Sequence, residues 1–505
     1  MRFSGVLLPV FSLPGKYGIG SLSKEAYAFV DFLSDAGQKY WQILPIGPTS
    51  YGDSPYQTFS SFAGNPYFID LDALIAEKLI TAKDLKGVDF GRKETDIAYG
   101  KLYEARFKVL RKAFENSGIS KDRKFQAFLK ANENWIDDYA LFMALKDSFD
   151  GKSFYEWPDA LKKREEKALA EAKEKYAEDI LFYEFLQFEF EKQWKALKAY
   201  ANKKGIEIIG DIPIYVAADS ADVWANPKLF DLDKSCMPIH IAGCPPDAFA
   251  VDGQRWGNPV YNWAYHKKTG YAWWIERMTR CIALYDVIRI DHFRGFDEYY
   301  SIDSSEETAR NGKWVKGPGY SLFEALKKAI PDMKVIAEDL GFITDTVREL
   351  INKTGFPNMK IVEFGFDGRK LNTKKADKLP HNEYLTCNFP NTNCVVYTGT
   401  HDNETVKGWL KHMKKAQLDE FKAYAGTDSD DYDVLTDRAI DLALSSVAEM
   451  AIIPMQDYLH LGNEARINTP STTGANWRWR MKKGSCTKEL AKSIKMRTIL
   501  YCRNS

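Results

Sequence analysis

Long apolar runs are missing from this chain. The first fifteen residues, MRFSGVLLPVFSLPG, hold one short apolar run broken by Pro9. That is too short for a signal-peptide core followed by a cleavage site, and no run elsewhere approaches the length of a membrane span. Cysteine is sparse and odd in number, seven in all: Cys236, Cys244, Cys281, Cys387, Cys394, Cys486 and Cys502, with no CxxC. A disulfide framework and a zinc ribbon are therefore not expected, and reduced packing thiols of a cytoplasmic protein are. A surplus of either charge is also missing, since Lys+Arg and Asp+Glu both number 70. Nucleic acid needs a basic field to meet its phosphates, and an acidic polymer would need one too. A neutral ligand fits better. The seven histidines are scattered and form no HExxH, so no metal site is expected. Nothing calls for pyridoxal phosphate or another cofactor.

What is present is an ordinary globular composition, 45% hydrophobic and 28% charged over 505 residues. Length alone suggests about three domains, but barrels with insertions run long as one unit. Eight short β-rich segments follow one another: Gly5–Val10, Tyr40–Ile46, Ile206–Ile212, Val287–Asp291, Lys334–Glu338, Lys360–Phe366, Cys394–Gly399 and Ile452–Gln456. Several are nearly continuous apolar runs, as in strands buried on both faces. Helical patterns separate most of them, including Lys24–Ala36, Ile180–Lys203, Leu322–Ala329, Asp345–Thr354 and Val434–Met450. Strand then helix, repeated about eight times, predicts an α/β (β/α)₈ TIM barrel, with a doubly wound open sheet as the structural alternative. The whole chain, 1–505, reads as a single catalytic barrel. An inserted, mostly helical subdomain is expected over 47–179, where charge runs mark solvated helix faces. A substrate-covering loop region rich in Pro, Gly, Asn and Trp is expected over 213–282.

Three carboxylates stand at predicted strand ends. Asp291 ends VIRID, Glu338 ends KVIAE, and Asp402 follows VVYTGTH. The C-terminal rim of a parallel barrel is where active sites lie. An acid ending an apolar strand is partly desolvated, which raises the pKa of a general acid. Chemistry at an acetal carbon needs two such groups, one to attack or stabilise the oxocarbenium-like centre and one to protonate the leaving oxygen. A separation of about 5 Å implies net retention. Singly, each acid could be a helix cap or an ion-pair partner, and Arg289 and Arg294 flank Asp291. Three together, with His292 and His401 beside two of them, favour chemistry.

RIDHFRGF, AEDLG and TGTHDNET resemble the catalytic motifs of the amylomaltases, the 4-α-glucanotransferases or disproportionating enzymes of the wider α-amylase clan. The likeness continues through Leu44–Leu71, Gly210–Pro227, Ala242–Trp263 and Leu461–Asn468. It implies a retaining 4-α-glucanotransferase acting on malto-oligosaccharides and α-1,4-glucans. By the resemblance, Asp291 is the nucleophile, Glu338 the general acid/base, and Asp402 the third acid that binds sugar hydroxyls. Arg289 would hold Asp291 ionised, His292 and His401 would donate to the sugar in the −1 subsite, and Tyr56 would stack beneath it. Asp247 and Trp256 would sit on a loop folding over the cleft, with Phe249 a further aromatic there. Ser54, Gln254 and Asn463 would be further substrate contacts. Ser471 stands where the family has Gly. The separate C-terminal β-domain of classical amylases is not expected, because only about fifty residues follow the eighth strand, and no carbohydrate-binding module precedes the first. Two other functions remain in view: a glucan hydrolase of the same clan, and a non-catalytic glucan-binding barrel, which would be expected to lack one of the three acids.

Two minor features take plain readings. The acidic run 428–433 lacks the Gly and closing Glu of a calcium loop, so it is expected to cap the following helix. Gly15, Gly18 and Gly20 do not make GxGxxG and read as a tight loop.

Overall fold

The computed structural model describes the chain except residues 51, 92, 247–249, 367–381, 473 and 505. In chain order its strands are β1 (Phe3–Leu7), β2 (Tyr40–Gln42), β3 (Glu207–Pro213), β4 (His240–Cys244), β5 (Gln254–Pro259), β6 (Val287–Asp291), β7 (Glu298–Asp303), β8 (Lys313–Lys316), β9 (Val335–Ala337), β10 (Asn358–Ile361), β11 (Cys394–Tyr397) and β12 (Met450–Pro454).

Eight of these are parallel and close into a barrel in the order β1-β12-β11-β10-β9-β6-β3-β2. Closure runs through Phe3↔Met450 to Leu7↔Pro454. Side chains alternate across each strand. Leu7, Ile209, Ile336, Met359, Val395 and Ile452 meet in one cluster, while Val6, Leu8, Ile208 and Ile453 belong to the larger cluster shared with the helices. The first set fills the barrel and the second seals it to its jacket, the packing that a parallel barrel requires.

All eight expected segments form barrel strands, with shifted ends. The segment expected at Lys360–Phe366 becomes strand only to Ile361 and then turns through Val362–Gly365. The last strand ends at Pro454, whose ring starts the short helix Met455–Tyr458, since proline suits a helix start and cannot extend a ladder. Helix Asp345–Thr354 matches expectation and is bracketed by the Thr344 side-chain cap and by Gly355 at φ 71°. The acidic run is a cap, with the Asp431 side chain accepting from the Asp433 amide ahead of helix Tyr432–Ser445.

Between β2 and β3 the chain is largely helical, with Tyr99–Glu115, Ile136–Ser148 and Ala177–Lys203 as its longest members. The region expected as loop over 213–282 differs in two respects. It ends in a barrel helix, Ala272–Leu284, that buries Trp273, Trp274, Arg277, Met278, Cys281 and Leu284. It also supplies β4 and β5 to an antiparallel sheet, β5-β4-β7-β8, completed by the connection after β6. HIAGC and QRWGNP are too short and too interrupted by Gly and Pro to show a period of two. No disulfide forms among the described residues. Among the described residues, no helix is long and apolar enough to cross a membrane.

One glycine couples the packing of the barrel wall to its mouth. Gly210 on β3 faces Ile288 of β6, one step before Asp211↔Arg289. A Cβ there would lie 2.2 Å from the Tyr285 ring, too close without displacing the ring or the strand. Gly210→Ala is expected to cost about 1–3 kcal/mol of stability by overpacking, read as a lower urea midpoint at unchanged m-value. An unchanged midpoint would show that Tyr285 yields freely.

Candidate active site

The site is built outward from a buried cation. Arg289 lies on β6 directly opposite Asp211 of β3, and the side chains are 3% and 0% exposed. Arg289 Nη1 donates to both Asp211 oxygens at 2.7 and 2.6 Å, and Nη2 donates to Asp291 Oδ1 at 3.0 Å. Its Nε points at Met359 Sδ, 3.3 Å away. A guanidinium without water needs anions around it, and here the strand register supplies Asp211 while the end of the same strand supplies Asp291.

Asp211 also accepts from the Tyr56 hydroxyl at 2.9 Å, and that hydroxyl lies 2.9 Å from His401 Nε2. The Tyr56 and His401 rings stack at 5.2 Å with an 18° interplanar angle. His401 Nε2 is in turn 3.3 Å from Asp402 Oδ2. One continuous polar chain therefore joins the β3, β6 and β11 ends. Asp402 is the most open of the three acids, its side chain 43% exposed. Its Oδ1 accepts from Asn468 Nδ2 at 2.6 Å and its carbonyl from Arg466 Nη2 at 2.7 Å.

Glu338 follows β9 and is buried. Its Oε2 accepts from the His292 amide at 2.6 Å and its Oε1 from the Leu340 amide at 2.7 Å. The carboxyl is thus held against the peptide that follows Asp291. Burial, then the nearby Asp291 charge, pushes Glu338 up to about 8, against Arg289 and the two amides. Asp291 is pushed up to about 6, by burial first. Arg289 pulls it the other way, as the sequence suggests, but desolvation and the Asp211 and Asp402 charges outweigh that pull. Both acids are raised, and Glu338 holds its proton to higher pH.

His292 takes a left-handed backbone at φ 54°, a conformation that turns the chain sharply after the nucleophile candidate. Its Nε2 is buried and has no hydrogen-bond partner among the described residues. Burial and Arg294 lower its pKa to about 3, so the ring is neutral. The Trp256 ring packs edge-on against it at 4.8 Å.

The remaining expected residues divide. Trp256 and Gln254 lie on β5 and are bonded to each other, Nε1 to Oε1 at 3.1 Å. Gln57 reaches the Trp256 carbonyl at 3.4 Å, tying this sheet to the Tyr56 loop. Ser54 Oγ accepts from the Tyr56 amide at 3.3 Å and so shapes the turn that aims the tyrosine. Asn463 is committed to the Asp402 loop, accepting from the Thr405 amide at 3.2 Å and donating to Glu404 at 2.6 Å. Asp247 and Phe249 lie outside the described residues. Ser471 sits at φ 63°, so it holds the left-handed conformation that glycine adopts without strain.

Beside Trp256 opens a cavity of about 960 Å³ lined by Gln57, Phe59, Tyr67, Tyr99, Tyr139 and Lys146, among others. Aromatic faces of this kind suit the apolar faces of sugar rings.

Sequence reasoning passed over Asp211, Asn468, Met359 and Asn403. Asp211 carried a usable signal. A buried strand holding an arginine, VIRID, demands an anion from a neighbouring strand, and EIIGDIP is the apolar run with an acid at the matching depth. Asp211→Asn is expected to cost about 3–5 kcal/mol, because it leaves a buried guanidinium half-compensated. A loss below 1 kcal/mol in the urea midpoint would contradict this.

A family model described as 4-alpha-glucanotransferase matches residues 8–487. A 4-alpha-glucanotransferase of Clostridium butyricum is 49% identical over 500 residues, covering 98% of this chain and 99% of that protein. One of Thermus thermophilus is 44% identical over 496 residues, covering 97% and 96%. The solved amylomaltase of Streptococcus agalactiae, in complex with acarbose, is 42% identical and superposes with a TM-score of 0.94, covering 100% of both chains.

Proposed function

The chain belongs to the 4-alpha-glucanotransferase family and is an enzyme of that class, and from this premise we propose that it transfers α-1,4-glucan segments between malto-oligosaccharides through a covalent glycosyl-enzyme on Asp291. The names of the relatives support the substrate class, and the acarbose complex of the Streptococcus agalactiae enzyme agrees with it. The observation that carries the mechanism is the Asp291–Glu338 pair. Glu338 is clamped by the amide next to Asp291, and the two acids hold their protons to different pH, about 6 and about 8. At neutral pH the pair carries one proton, and it resides on Glu338.

The steps follow from that state. Asp291 attacks the anomeric carbon while Glu338 gives its proton to the glycosidic oxygen, and the leaving sugar departs as an alcohol. Glu338, now ionised, takes the proton of an acceptor 4-hydroxyl, which attacks the same carbon from the face the leaving group left. Two inversions give net retention. Arg289 binds Asp291 through Oδ1, which leaves the other oxygen for attack. Neutral His292, whose Nε2 has no partner among the described residues, donates to the sugar in the −1 subsite, and His401 does so once the sugar replaces its Nε2 contact with the Tyr56 hydroxyl. Asp402 accepts from sugar hydroxyls and favours the flattened transition state. Tyr56 stacks beneath the ring. Gln254 and Trp256 grip the acceptor side from β5, which limits access of water. Ser54 and Asn463 serve the substrate by shaping the loops they cap. Seven cysteines, odd in number and without a CxxC, suit a reducing compartment such as the cytoplasm.

Incubation with maltotriose alone tests the reaction. Transfer gives a ladder of longer chains plus glucose at constant reducing ends. Reducing ends that rise with bond cleavage would make the enzyme a hydrolase.

Two predictions concern the acids. Activity requires Asp291 ionised and Glu338 protonated, so kcat/KM should rise through about pH 6 and fall through about pH 8. A profile flat from 5 to 9 would contradict the assignment. Asp291→Asn should lower turnover by on the order of 10⁴-fold or more, while maltotriose binding, followed by calorimetry, stays near wild type. Substantial turnover in that variant would remove Asp291 as nucleophile.

A further inference from the structure

A second buried acid lies behind the site. Glu363 sits in the turn Val362–Gly365 that follows β10, and it is 6% exposed. Its amide donates to the Thr398 carbonyl at 3.2 Å, joining it to the end of β11. Its Oε2 accepts from Asn403 Nδ2 at 3.1 Å, while Oε1 is buried and has no partner among the described residues. Asn403 faces the other way with its carbonyl oxygen. That oxygen accepts from the Thr400 amide at 2.9 Å and the Thr400 hydroxyl at 2.8 Å. Thr400 Oγ1 in turn accepts from the Asp402 amide at 3.3 Å. A Cβ at Gly399 would come within 2.8 Å of Glu363 Oε1, so the turn leaves room for this carboxyl and little else.

We propose that Glu363 is a positioning residue for the third acid: it orients Asn403, and through Asn403 and Thr400 the turn that presents Asp402 to the sugar. The inference rests on the role given to Asp402 above. Burial and its neighbours bias the Glu363 carboxyl toward its uncharged form. Burial comes first among the causes, followed by the Asp457 and Glu404 carboxylates facing it, and together they hold its pKa well above the ordinary range against Asn403 and Arg466. Asp457 is itself occupied, accepting from Thr398 Oγ1 at 2.7 Å and the Val406 amide at 2.9 Å. The bias matters here because a further carboxylate charge behind the cleft would oppose an ionised Asp291. A glutamine has the same shape and no charge, so it should substitute.

The test compares Glu363→Gln, Glu363→Ala and Asn403→Ala in the full chain, with kcat and KM for maltotriose disproportionation, the pH profile and the urea midpoint. Glu363→Gln should keep kcat within about threefold and leave both pH limbs in place, since the acceptor to Asn403 is preserved. Glu363→Ala and Asn403→Ala should each lower kcat about 10²-fold, the size of effect that a displacement of about 1 Å produces. KM should change less than about threefold, because the lost contact belongs to the transition state. Wild-type kcat in either alanine variant would overturn the proposal, and so would a Glu363→Gln variant as impaired as Glu363→Ala. Should Glu363→Ala not fold, Asn403→Ala against Glu363→Gln decides the matter by the same criteria. Asp402→Asn run alongside separates the two claims. Wild-type turnover there removes the role of Asp402, whereas loss there with none in Asn403→Ala removes only the role of Glu363.

Discussion

A guanidinium buried at the mouth of the barrel organises the rest of the site. Arg289 has no water to satisfy it, so its position is set by Asp211 across the β3–β6 register and by Asp291 two residues on. Removing either anion would leave the buried charge only half-compensated, which is costlier than losing a surface pair. The same clamp fixes which Asp291 oxygen is engaged, and through Asp211 it fixes the Tyr56 hydroxyl and the stacked His401 ring. Backbone geometry, charge balance and the placement of Tyr56 and His401 are thus consequences of one ion cluster.

Desolvation then does the chemical sorting. Asp291 and Glu338 stand on adjacent strands in the same dry cleft, and both have raised pKa values. Arg289 restrains the rise at Asp291, which it touches, more than at Glu338, which instead receives two backbone amides. Two like carboxyls become different by their nearest donors. The buried, uncharged His292 ring fits the same logic, since a neutral imidazole can donate without adding a cation that would stabilise ionised Glu338.

Much of this is legible in the chain, for identifiable reasons. Apolar runs such as VIRID and KVIAE mark strands buried on both faces, and an acid ending such a run marks the rim. The antiparallel sheet β5-β4-β7-β8 escaped because its strands are short, interrupted and drawn from two separate connections. The pull of Arg289 on Asp291 was legible as a contact, but its sign in the total was not, because burial is a property of the assembled cleft. Asp211 and Glu363 escaped for a related reason. Their partners are set by which strands become neighbours and in what register, and a linear chain does not display that. Ser54 and Asn463 carry the motif, yet their polar groups turn inward to cap loops, a distinction only geometry makes.

The central claim is that Asp291 carries the sugar between donor and acceptor. The most direct measurement is peptide mass spectrometry of the acid-quenched enzyme after brief exposure to an α-maltosyl fluoride donor, with Glu338→Gln used to slow the second step. A maltosyl adduct is expected on the peptide containing Asp291, disappearing when a sugar acceptor or azide is added. An adduct on the Asp402 peptide, or none while fluoride is still released in a burst, would contradict it.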